Sequence, residues 1–218
     1  MDSLLSFFVL AEKMKTVKRD NMLSNGEYDS DADHSWMLCL MVLVFHSKLK
    51  TKVNVERALK IAIVHDLAEA KIGDIPLCES IDNIKVQIDK KEAEEAAIRE
   101  ICAMLSPEIG DDLFGAWQEY EENATVEAKF VKALDKIEAT FQALMYHDIR
   151  YWEKYGDGRI YYDIVLNDRK NKHWEHEPIL AEVAEELKKM TKAKMREAGL
   201  DPEEFVMEPS RESESITE

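Results

Sequence analysis

The sequence predicts an all-α protein, and three observations carry that reading. Seven Gly and five Pro in 218 residues leave little punctuation for many short strands. Apolar residues recur at helical spacing, as in Phe130, Val131, Leu134, Ile137 and Phe141. Several such segments open on residues that can cap a helix. The periodicity predicts helices over 2–15, 31–48, 54–70, 77–105, 109–121, 124–155 and 177–198.

The starts have physical reasons. Residues 2–15 carry an apolar segment with an acid at Asp2 and no basic flank before it, which reads as an amphipathic helix rather than a signal peptide. Ser30-x-x-Asp33 resembles a capping box ahead of 31–48. Asn54 precedes the next helix, where its side chain can accept from an otherwise orphaned N–H. Ser106-Pro107 places Pro at a first helical position, where the missing N–H is harmless. Residues 16–29 and 156–172 lack helical periodicity and read as loops. We read 1–200 as a single domain and 201–218 as an acidic, mobile tail.

Composition narrows the function. A formal net charge of -16 argues against a nucleic-acid polymer or an anionic membrane as partner, because both need a basic surface. A small anionic substrate stays open if a metal or a local cation reverses the field inside one pocket. The apolar run from Trp36 to Phe45 is shorter than the roughly 20 residues that span a bilayer. Cys39, Cys78 and Cys102 lack metal-binding or paired spacing, so neither a disulfide framework nor a structural zinc site is expected, and a reducing cytoplasm fits.

The chemistry concentrates in "VHDLAEAKIGDIP", residues 64–76, where His65, Asp66, Glu69 and Asp74 follow the apolar run Ile61-Ala62-Ile63-Val64. Neighbouring side chains on a helix diverge by about 100°, so His65 and Asp66 do not share a face, but both can reach one ion lying between them. Glu69 returns to that side three and four residues later. An imidazole and a carboxylate suit Mn, Fe, Co or Zn rather than a soft metal. Two ligands are too few. His34 opens a strongly apolar helix, and Asp135 lies beside an apolar stripe where an unpaired carboxylate would be costly. The plainer reading pairs Asp135 with Lys132 or Lys136 and leaves His34 as a helix-terminal or core histidine. His147-Asp148 repeats the dipeptide but lacks the following acid and the Gly-Asp turn, so it reads as the polar side of a long helix. His46, His173 and His176 read as surface or packing residues.

The order His34 … His65-Asp66 … Asp135 resembles the H…HD…D signature of the HD superfamily of metal-dependent phosphohydrolases. "ADHSW", "HDLAEAKIGDIP" and "KALDKIEA" are similar to motifs of its 5'-deoxynucleotidase branch. The resemblance implies an HD-domain helical bundle, usually dimeric, that removes phosphate from nucleoside monophosphates. It implies that His34, His65, Asp66 and Asp135 hold one divalent ion, whether Mn, Co, Fe, Zn or Mg. Such an ion lowers the pKa of water and polarises a phosphoryl oxygen. Glu69 would orient or deprotonate that water, and Asp74, after the Gly73 turn, would support the nucleophile or the sugar. Arg19, with Lys18, would neutralise the phosphate.

Departures fall in one stretch. Asp20 stands where the deoxynucleotidases place a Trp, Ser24 lies near their second Arg, and Asp29 replaces the Glu of their E-S/T/N-V motif. That stretch shapes the sugar and phosphate end of the pocket, so sugar selectivity is left open. Guanosine tetraphosphate hydrolases carry a second acid where Ala70 stands, and cyclic-dinucleotide phosphodiesterases carry a later Gly-Tyr-Pro element missing here. The remaining alternatives are an HD hydrolase of another small phosphate ester, a non-enzymatic module with a structural metal, and a metal-free helical interaction protein.

Overall fold

The architecture is a bundle of helices with one short hairpin, seen in a computed structural model that describes residues 2–75, 84–151, 153 and 173–205. The predicted loop at 156–172, the first residues of the helix expected from 77, Pro76, Cys78 and everything after 205 lie outside the described residues. The helices are α1 (Asp2–Ala11), α2 (Asp31–Phe45), α3 (Val55–Val64), α4 (Glu69–Ile72), α5 (Ile84–Cys102), α6 (Pro107–Glu122), α7 (Val126–Tyr146) and α8 (Pro178–Glu197).

Three elements differ from expectation. The stretch read as a loop at 16–29 holds two antiparallel strands, β1 (Lys18–Met22) and β2 (Tyr28–Ser30). Their connection carries Asn25-Gly26, and Gly26 takes the left-handed φ of 83° that such hairpin turns need. Short, charged strands gave no alternation to read. The helix expected at 54–70 stops at Val64 and resumes at Glu69. The helix expected to reach 155 ends at Tyr146, and His147, read above as a polar-side residue, is instead buried with its ring 3.9 Å from that of Tyr151.

The caps form as their chemistry requires. Ser30 Oγ accepts from the Asp33 N–H at 3.2 Å while the Ser30 N–H donates to Asp33 Oδ2 at 3.2 Å, a complete capping box. Asn54 accepts from the Arg57 N–H, and Thr125 from the Ala128 N–H. Pro107 and Pro178 each sit in the first turn of a helix. These starts fix which face of each helix turns inward. In α2 the inward face is Asp31, His34, Ser35, Leu38 and Val42.

α2, α3 and α7 pack against one another, α6 covers α3 and α7, and α8 lies along α7. Leu38, Ile61, Phe130, Leu134 and Ile137 fill the space between them. Glu177, buried before α8, accepts the N–H groups of Lys50 and Thr51 at 2.8 Å each, tying the loop after α2 to the last helix. Beyond 200 the chain forms a turn at Pro202–Phe205, with Phe205 packed on Ile149 and Met195.

Ile61 is fully buried between the helices that carry the ionisable residues. Truncating it removes apolar burial and leaves a cavity. Ile61→Ala is expected to cost about 2–5 kcal/mol, read as a lower urea midpoint with an unchanged slope.

Candidate metal centre

Each element contributes one side chain to a common point. The capping box aligns α2 so that His34, in its first turn, faces inward. His65 follows the last residue of α3, and Asp135 lies midway along α7. His34 Nε2 is 3.3 Å from His65 Nε2, 3.3 Å from Asp135 Oδ1 and 3.9 Å from Asp66 Oδ2. His65 Nε2 is 3.1 Å from the same Asp66 oxygen. His34, His65 and Asp135 are buried, and Asp66 is partly exposed.

The outer atoms are all occupied. His34 Nδ1 lies 2.6 Å from Glu138 Oε2, and His65 Nδ1 donates to the Ala62 carbonyl at 2.9 Å. A carbonyl can only accept, so His65 carries a proton on Nδ1 and its Nε2 points inward, toward Asp66. Asp135 Oδ2 accepts from the Tyr120 hydroxyl at 2.6 Å and pairs with Lys136 Nζ at 3.0 Å, leaving Oδ1 for the centre. The Lys136 pair weighed from sequence therefore exists beside the inward role, and the two use different oxygens. Lys132 instead donates to the Tyr120 carbonyl and stacks on its ring. Outer partners of this kind fix tautomer and orientation in metal sites.

The break in the helix matters here. After His65 the N–H groups of Leu67, Glu69, Ala70 and Lys71 bond to carbonyls three residues back, not four. In such a turn side chains at i and i+3 eclipse. Asp66 and Glu69 are therefore stacked together, closer than the sequence reading assumed. Asp31, one turn before His34, joins them, and the three carboxylates offer oxygens within 4.8 Å of one another. Among the described residues Asp31 Oδ2 and Glu69 Oε2 are buried with no hydrogen-bond partner.

That crowding sets the electrostatics. Burial, then the charges of Asp66, Asp74 and Asp31, pushes Glu69 up to about 11. Burial and Asp66 raise Asp31 to about 6, and burial and Glu138 raise Asp29 likewise to about 6. Burial, then Asp66, raises Asp74, although Arg19 and Lys90 oppose it. Burial and Arg19 act against a charge on His34, but Asp135 and Glu138 outweigh them and lift it to about 9. Burial opposes the charge on Asp66 and Asp135 as well. His65 and Arg19 nonetheless hold Asp66 far below the usual range, and Lys136 and His34 do the same for Asp135.

Arg19, on β1, donates to Asp66 Oδ2 at 2.8 Å and to Asp31 Oδ1 at 3.3 Å, and among the described residues its buried Nε has no partner. Lys18 does not join it. Its exposed Nζ donates to the Tyr28 carbonyl at 2.9 Å, because successive strand residues point to opposite faces. The second cation near the cluster is Lys90, whose Nζ is 3.7 Å from Glu69 Oε1 and 3.4 Å from Glu94. Sequence reasoning missed Asp31, Tyr120, Glu138 and Lys90. Glu138 could have been found, since it lies three residues after Asp135 on the same buried face. Lys90 sits in a charge-rich helix and carries no such signal.

The donor set is chemically suited to a borderline or hard divalent cation: two imidazole nitrogens and two carboxylate oxygens, aimed from three places in an all-helical fold. That combination defines a class of helical metal-site domain. Residues 11–178 match the family model of the HD domain, and the chain belongs to that family. The 5'-deoxynucleotidase HDDC2 of Homo sapiens is 34% identical over 151 residues, 68% of this chain and 71% of that protein. Its Mus musculus counterpart is 31% identical over 201 residues, 91% of this chain and 94% of that one. Among solved structures, a predicted metal-dependent phosphohydrolase from Magnetospirillum magnetotacticum superposes with a TM-score of 0.75 at 24% identity, covering 92% of this chain and 95% of its own.

The protonation pattern predicts a pH dependence. Above pH 4.5 the unfolded chain has lost the Glu69 proton that the folded, cation-free protein keeps to about 11, so stability falls as pH rises. His34 acts in the same direction: its contribution is full below 6.5 and lost through about 9. Chelator-treated protein should therefore show a urea midpoint that falls steadily from pH 5 to pH 9. Glu69→Gln, which cannot ionise, should flatten that slope; an unchanged slope would mean Glu69 does not titrate across this range.

Proposed function

We propose that this chain is a metal-dependent phosphomonoester hydrolase acting on nucleoside 5'-monophosphates. The observation that supports the reading is the group His34, His65 and Asp66, whose ligand atoms lie within 4.8 Å of one another, with Asp135 Oδ1 3.3 Å from His34 Nε2 and an arginine beside them. These four would hold one divalent ion, and when bound it supplies the positive charge that acidifies water and neutralises a phosphoryl oxygen. Kinship with the 5'-deoxynucleotidases above supports the substrate class.

The chain's own residues supply the rest. Arg19 keeps a buried Nε donor that no protein acceptor uses, next to NH1 on Asp66, so a phosphate oxygen can complete its hydrogen bonding. Glu69, stacked over Asp66 and buried, is placed to take the proton of the attacking water; without a cation it holds a proton of its own up to about 11, and a bound divalent ion would release that proton and free the carboxylate for the role. Asp74 follows Gly73, whose φ of 78° ends α4 and turns the chain back toward Arg19 and Lys90. Its carboxyl orients the water or the sugar. Glu138 keeps the His34 proton on Nδ1, so that Nε2 faces the ion. Asp20, bonded by the Tyr151 hydroxyl at 2.9 Å, borders Arg19 where relatives of the deoxynucleotidase branch carry Trp, so the sugar preference rests on this pair and is read from the substrate panel.

We also propose a single catalytic domain over 1–200, a homodimer, and a reducing cytoplasmic setting in keeping with the free thiols of Cys39 and Cys102. Among the described residues no helix is long and apolar enough to cross a membrane.

The test is phosphate release from deoxy- and ribonucleoside monophosphates with Mn, Co, Fe, Mg or Zn. Metal-dependent turnover is expected, with His65→Ala inactive and Glu69→Gln lowered by about 10²–10⁴ in kcat. Arg19→Ala should act mainly on KM. Turnover with no metal, or none by a protein that binds one ion, would overturn the proposal. Glu138→Gln should weaken metal affinity by about 10–100-fold in a chelator competition, with little change in KM.

A further inference from the structure

Among the described residues two permanent cations border the carboxylates Asp31, Asp66 and Glu69, and they come from different elements. Arg19 reaches Asp66 and Asp31 from β1. Lys90 reaches Glu69 from α5, and the hydrolase reading above gives it no part.

Glu69 opens α4, which packs against α5, and it is buried. Its two oxygens have different surroundings. Oε1 lies 3.7 Å from Lys90 Nζ, whereas Oε2 is buried with no hydrogen-bond partner among the described residues. Asp31 and Asp66 offer oxygens within 4.8 Å of Glu69 and repel its charged form, and Lys90 is the cation that opposes them. At this separation the contact is an ion pair and not a hydrogen bond. It attracts the carboxylate without taking one of its lone pairs.

Lys90 is itself held. Glu94, one turn further along α5, places Oε1 3.4 Å from Nζ, an i,i+4 pair on one face of the helix. The two side chains are 24% and 17% exposed, so solvent screens them less than an ordinary surface pair. Burial opposes the ammonium charge, but Glu94, Glu69, Asp74 and Asp66 outweigh it and raise Lys90 above its ordinary value. Ala97, Ile98 and Ile101 anchor the same helix in the core. A charge carried on so fixed a support restricts where the Glu69 carboxylate can lie.

The arrangement separates the two cations by role. An ammonium reserved for a phosphate would keep its charge unmatched, yet Lys90 Nζ sits between Glu69 and Glu94. Arg19 instead keeps a buried Nε with no partner among the described residues. The phosphate falls to Arg19, and Lys90 acts through Glu69.

We propose that Lys90 is a positioning residue for Glu69: paired with Oε1 and braced by Glu94, it holds the carboxylate with Oε2 turned to the attacking water. The inference rests on the hydrolase reading and adds to it a residue that touches neither the substrate nor the ion.

The experiment measures kcat and KM of the full chain with the metal and the nucleoside monophosphate that give the parent its fastest turnover. Lys90→Met should lower kcat by roughly 10–100-fold, the scale of a misplaced catalytic group, with KM and metal affinity little changed. Lys90→Arg keeps the charge and should recover most of the loss. In the Glu69→Gln background Lys90→Met should have no further effect, because a residue that acts through Glu69 has nothing left to act on. If Lys90→Met does not fold, Lys90→Gln takes its place. A raised KM with kcat unchanged would make Lys90 a phosphate ligand and overturn the proposal. Losses that multiply in the double variant would overturn it too, as would a Lys90→Arg variant as slow as Lys90→Met. An active parent whose Lys90→Met variant keeps full kcat overturns Lys90 alone. A parent with no turnover overturns the hydrolase reading and, with it, this role for Lys90.

Discussion

Negative charge confined within a helical core is the constraint around which this protein is organised. Asp31, Asp66, Glu69, Asp135 and Glu138 crowd two buried imidazoles, and an isolated carboxylate in such surroundings is prohibitively costly. Part of the charge is met by fixed cations: Arg19 on Asp66 and Asp31, Lys136 on Asp135, Lys90 on Glu69. Part is met by protons, which is why Glu69 and His34 hold theirs so far above their ordinary values. A divalent cation would do the work of both protons at once. The cluster is destabilising by itself and stabilising with its ligand, the usual bargain of a functional site.

The tightened turn after His65 converts that charge into geometry. A continuous α-helix through 54–70 would have kept Asp66 and Glu69 on one side but about 60° apart. Bonds reaching back three residues stack them on one edge, facing Arg19 from β1. The same shortening ends α3 beside His34 and leaves the Ala62 carbonyl free to take the His65 Nδ1 proton. One local change in hydrogen bonding thus sets the position of Asp66, the orientation of the His65 ring and the pKa of Glu69.

Much of this was legible in the sequence because helical periodicity and capping are local. The starts of α2, α3 and α6 follow from Ser30, Asn54 and Pro107, and the ordered set His34, His65, Asp66, Asp135 followed from motif order. What was illegible is non-local or depends on a turn. Whether Asp135 serves Lys136 or the centre is a choice between its two oxygens, which only Tyr120, from another helix, decides. Lys18 and Arg19 are equal cations in sequence, and strand alternation alone separates them. The hairpin itself was missed since its strands are polar on both faces and its one signal, Asn25-Gly26, also marks ordinary loops. His147 looked polar only because the helix was extended past Tyr146.

α2 shows most clearly how pattern can conceal organisation. In sequence it reads only as a strongly apolar helix that opens on His34. In the folded chain one side is buried and the other is not. The inner positions 31, 34, 35, 38 and 42 mix two ionisable residues into a packed face, and the outer positions 36, 40, 43 and 44 are wholly apolar yet face solvent. Polarity is therefore inverted relative to an ordinary surface helix. The inner half is suited to a cation, and the outer half leaves apolar side chains exposed. Both halves belong to one helix only three or four turns long, so whatever steadies its outer face also steadies the first turn that carries His34.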